Sequence, residues 1–71
     1  MNIRLIKERV ARIKTMVDRK AYEAAHSEED RLHQEVMTHA VTNRDLTAQE
    51  IRDLLRAALL TRDMQFDRYC G

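Results

Sequence analysis

The first twenty residues, MNIRLIKERVARIKTMVDRK (residues 1–20), carry seven of the chain's thirteen basic side chains and only two of its twelve acids. Their apolar members Ile3, Ile6, Val10, Ile13 and Val17 recur at alternating steps of three and four, the spacing that lays side chains along one stripe of a helix. Ala11 and Met16 broaden that stripe. The segment therefore predicts an amphipathic helix over about 2–19 whose apolar face needs cover and whose cationic flanks favour an acidic neighbour. With Ile3 at heptad position a, Lys7 and Lys14 fall at e and Arg9 at g, so a parallel self-pair would oppose Arg9 to Lys14 of its mate. An antiparallel neighbour suits these charges better. Glu28, Glu29, Asp30 and Glu35 supply one within the same chain, which makes an antiparallel helical hairpin the expected nucleus of the fold.

Working outward, there is no proline and the one glycine is Gly71, so the residues that usually break helices or close tight hairpins are missing from the body of the chain. The fold class expected is all-α: a small three-helix domain spanning 1–71, its core completed by dimerisation. Ser27 with Asp30 three residues on resembles a capping box, and Glu28 and Glu29 beside them complement a helix dipole. A second helix is thus expected over about 27–42, with Leu32, Val36, Met37, Ala40 and Val41 as its stripe. The segment 21–26 reads equally as a turn or as helix. A stronger boundary follows at Thr47 and Glu50, a capping box flanked by Leu46 and Ile51 in the positions of a hydrophobic staple. It opens a third helix over about 47–62, on which Ile51, Leu54, Leu55, Ala58 and Leu59 face a core. The tail 63–71, with Phe66 and Tyr69, is expected to pack down.

Composition bounds the function. A 71-residue chain hides a smaller share of its surface than a larger domain does, and a lone cysteine, Cys70, closes no internal disulfide, so self-association is the expected source of extra stability. The net charge of +1 is not the one-sided field of a dedicated nucleic-acid binder. No apolar run approaches the length of a membrane span, and charges interrupt the N-terminal region where a signal peptide would need an apolar stretch. A soluble, cytoplasmic protein with no membrane partner is expected, in keeping with a single cysteine in a reducing compartment.

The candidate chemistry is thin. His26 and His33 stand seven residues apart with Glu29 and Asp30 between them, a rise of about 10.5 Å that is too long for both imidazoles to bind one zinc ion. No metal and no cofactor is therefore expected. Without a glycine-rich phosphate loop, and with Cys70 distant from any identifiable base, no catalytic residue stands out and no enzyme activity is expected. Two sets of residues remain as partner-binding candidates. Arg4, Lys7, Arg12 and Lys14 form the cationic surface of the first helix, and Phe66, Arg68 and Tyr69 make an aromatic and cationic tail of the composition of an interface anchor.

The stretches Tyr22-Glu23-Ala24-Ala25-His26-Ser27-Glu28-Glu29-Asp30-Arg31-Leu32-His33 and Phe66-Asp67-Arg68-Tyr69-Cys70-Gly71 resemble small uncharacterised helical proteins encoded by phages and prophages. Tyr69 departs from the tryptophan expected of such a tail. The resemblance brings no activity or site residues with it, and implies an accessory factor acting in a bacterial host cytoplasm. Residues and resemblance together point to a non-enzymatic protein-interaction protein, a homo-oligomer that binds another protein and no small molecule. The alternative is a small DNA-binding accessory or regulatory factor that offers the basic first helix to phosphates, with affinity falling steeply as salt rises.

Overall fold

The structure, a computed structural model, describes residues 1–68; the expectations for Tyr69, Cys70 and Gly71 lie outside the described residues. Helices α1 (Ile3–Asp18), α2 (Tyr22–Thr42) and α3 (Ala48–Ala58) follow one another, and the chain then tightens into a 3-10 segment, Leu59–Asp63. Among the described residues there is no strand. Each helix packs against the other two. No helix of the described residues is long and apolar enough to cross a membrane.

Local chemistry sets each boundary. Asn2 caps α1, its Oδ1 accepting from Leu5 N–H at 2.9 Å. At the other end Lys20 turns to a left-handed φ of 62°. Ala21 N–H bonds back to Met16 O at 2.8 Å and Lys20 N–H to Val17 O at 2.9 Å, the pair of bonds that defines a Schellman cap. A lysine thus occupies the position that glycine fills most easily. The chain turns within Arg19 to Ala21, and α2 begins at once.

That early start corrects the second boundary: α2 runs from Tyr22, and Ser27 lies inside it with no capping role. Glu23, Ala24 and Ala25 are good helix formers, and the left-handed turn at Lys20 leaves no reason to delay them. Extending α2 exposes its true stripe, in which Ala25, Glu29, Leu32 and Val36 are buried at steps of four, three and four. The broader stripe read from sequence is corrected too, because Met37 and Val41 remain 54% and 82% exposed.

The third boundary holds as read. Thr47 Oγ1 accepts from Glu50 N–H at 3.1 Å while Glu50 Oε1 accepts from Thr47 N–H at 3.1 Å, a reciprocal capping box. The expected end near Arg62 is corrected: α-helical bonding stops at Ala58, and residues 59–63 take the tighter winding common at helix ends.

Ile6, Ile13, Ala25, Leu32, Val36, Leu54, Ala57 and Ala58 form the core, with Val10, Met16, Val17, Leu46, Leu55, Met64 and Phe66 partly buried around it. Three of the eight buried apolar residues are alanines, whose single methyl groups add little to the apolar area removed from water.

Candidate functional site

A buried carboxylate organises one end of the domain. Glu29 is 1% exposed and occupies a position in the α2 stripe where an apolar side chain would ordinarily sit. Burying a charge without a partner is prohibitive, and the tail supplies the partner. Arg68 Nε donates to Glu29 Oε1 at 2.8 Å and Arg68 Nη2 to Oε2 at 3.1 Å, the bidentate fork that suits a guanidinium to a carboxylate. Arg68 Nη2 also donates to the carbonyls of Thr61 at 2.8 Å and Met64 at 3.2 Å. Its guanidinium lies 3.8 Å over the Phe66 ring, which stacks on Tyr22 with centroids 6.2 Å apart. Arg62 approaches the same carboxylate at 3.7 Å from the solvent side.

The network continues inward. His33 Nε2 lies 2.9 Å from Thr61 Oγ1 and 3.1 Å from Ala58 O. A proton on Nε2 serves these acceptors and frees the Thr61 hydroxyl, itself 3.3 Å from Ala58 O, to turn its proton to Glu29, an assignment made from the network. Burial by itself raises the Glu29 carboxyl, but hydrogen bonds from Arg68 and Thr61 and the charges of Arg68 and His33 outweigh it and hold the group below its ordinary value. The described tail is therefore a clasp, with Phe66 and Arg68 half-buried against the domain.

The acids expected to answer α1 divide differently. Glu35 alone among the four bridges to α1, through Arg9. Glu28 pairs with Arg31 at 3.4 Å, and Asp30 with His26 at 3.3 Å.

His26, Glu29 and Asp30 bring one ligand atom each within 4.8 Å of one another, and His33 is not of that group. Both Glu29 oxygens already accept from Arg68, so a cation there would have to displace a guanidinium.

The cations of α1 do not share one face. At 100° per residue, Lys7 and Lys14 lie about 20° apart, whereas Arg12 stands about 140° round from Lys7. Arg4 approaches Glu8 at 3.9 Å and Lys14 pairs with Asp18 at 2.6 Å, one turn along in each case. Among the described residues Lys7 and Arg12 form no ion pair.

Two of the cations border grooves between α1 and α3: Arg4 lines one of about 620 Å³ with Ile3, Glu50, Asp53 and Leu54, and Lys7 lines its neighbour. Between α1 and α3 a shallow channel of about 290 Å³ is lined by Ile3, Lys7, Asp53, Arg56, Ala57 and Leu60. Between α2 and α3 a second, of about 270 Å³, is lined by His33, Val36, Met37, Leu55, Ala58 and Leu59. Leu59 and Leu60 are adjacent in sequence yet open to opposite grooves, since α3 forms a wall of each. The sequence pattern assigns a single stripe of this helix, Ile51, Leu54, Leu55, Ala58 and Leu59, to the core and leaves Leu60 unplaced. The signal for two grooves was the pairing Leu54-Leu55 and Ala57-Ala58-Leu59-Leu60, interrupted by Arg56, which is wider than one core-facing stripe can bury. No family model, curated protein or solved structure matches the chain.

Proposed function

We propose that the chain is a non-enzymatic interaction module whose α1–α3 groove receives an acidic, amphipathic segment of another protein. The observation that carries this reading is the company Lys7 keeps. Ile3 and Leu60 are 37% and 42% exposed and line one channel with Lys7 and Arg56. Exposed apolar side chains gathered beside fixed charge have the composition of a docking face rather than of an ordinary surface. A partner helix with apolar anchors at i and i+3 or i+4 would bury Ile3 and Leu60, and a carboxylate on its flank would meet Lys7 and Arg56. The resemblance of residues 22–33 and 66–71 to phage and prophage products makes a host or phage protein in the bacterial cytoplasm the partner proposed.

Affinity capture from nuclease-treated bacterial lysate at about 0.3 M salt, where surface charge is strongly screened, tests the reading. The wild-type chain is expected to retain one protein that Leu60→Asp loses and Leu59→Asp keeps. Binding that vanishes with nuclease or on raising salt would transfer the basic helix to a phosphate-binding role instead.

A further inference from the structure

We propose that the α2–α3 groove is closed by a second copy of this chain, in a two-fold symmetric dimer distinct from the partner face beside α1. Charge is missing from two stretches of the chain. Lys, Arg, Asp and Glu make up 35% of the sequence, yet none occurs from Val36 to Asn43 or from Ala57 to Thr61, the two longest such runs among residues 1–68. These runs are distant in sequence, and folding sets them side by side. Val36 and Met37 come from the first, Ala58 and Leu59 from the second, and all four line the groove.

Symmetry then selects the occupant. In a two-fold interface the same patch meets itself, so every fixed charge near the axis faces its own like. The α1–α3 groove carries Lys7, Arg56 and Asp53 and suits a partner of different sequence. The α2–α3 groove carries no formal charge apart from any on His33, whose Nε2 is engaged by Thr61 and Ala58 of its own chain. A neutral patch loses nothing by meeting its copy. It also has area to give up: Met37 and Leu59 are 54% and 55% exposed, and Val41, one turn along α2 from Met37, extends the apolar surface. The need is visible in the core, where three alanines among eight buried apolar residues leave a small chain short of hydrophobic area.

Sedimentation equilibrium on the full chain decides the matter, with helicity followed by circular dichroism. The wild type is expected at twice its 8.4 kDa mass. Met37→Glu sets carboxylates into both halves of the interface and is expected to raise the dissociation constant by about tenfold or more with helicity unchanged. Val41→Glu, at a position almost wholly in solvent, gives the same result without touching the core. Leu60→Glu, in the other groove, keeps the dimer. A wild type that remains monomeric at about 100 µM, or a Val41→Glu chain that dimerises as the wild type does, overturns the proposal.

Discussion

Glu29 is the residue on which the C-terminal clasp turns, and the sequence concealed it in plain view. Beside Glu28 and Asp30 it reads as one of three first-turn acids, and only the true start of α2 at Tyr22 moves it into the stripe of Ala25, Leu32 and Val36. Stepping back from Leu32 by three and seven would have found Glu29 and Ala25, and a carboxylate at a core position demands a cation. Arg68 was legible as an interface-type residue but not as the partner of a group thirty-nine positions away, because no local pattern encodes so distant a pairing. The clasp makes a definite prediction. Since the folded-state carboxyl lies below its ordinary value of 4.5, ionised Glu29 contributes stability above that value, which is lost as pH falls through the folded pKa. Arg68→Ala leaves the buried carboxylate with only Thr61, His33 and the more distant Arg62, at a cost of about 3 kcal/mol. Urea denaturation of both chains at neutral and acid pH should show a lower midpoint for the variant at neutral pH and a smaller difference between the two in acid. Equal midpoints at neutral pH would show that the clasp contributes nothing to stability.

At the scale of elements, legibility followed the chemistry of the boundaries. The capping box at Thr47 and Glu50 was readable because both halves of the motif are side chains with a fixed spacing, and the structure forms both bonds. The turn between α1 and α2 was not, because its device is a backbone conformation held by lysine where glycine is the usual sign. Ser27 and Asp30 then imitated a helix start five residues late. A left-handed residue bearing a Cβ costs about 1–2 kcal/mol relative to glycine, and glycine gives back part of that through its looser unfolded state. Lys20→Gly should therefore raise stability by about 0.5–1 kcal/mol, read as a higher urea midpoint with an unchanged slope. A lower midpoint would show that the side chain of Lys20 does more than tolerate its turn.

On the scale of the whole molecule, the three helices form a core too small to cover both sides of α3, and the residues left over are not scattered. Leu60 with Ile3 and Lys7 opens one groove, and Leu59 with Met37 opens the other. The all-α class and the three helices were legible from periodicity and from the lack of helix breakers. That one amphipathic helix would serve two grooves was not, since a sequence stripe does not say where its neighbours stop. Two occupants of unlike chemistry are proposed: an acidic, apolar segment beside α1 and a second copy of the chain beside α2. The most direct measurement places a photoreactive benzoyl side chain at position 60 or at position 41 of the otherwise native protein and irradiates it in bacterial lysate. A heterologous adduct is expected from position 60 and a self-adduct of twice the chain mass from position 41. No adduct at position 60, or the same adduct from both positions, would contradict this.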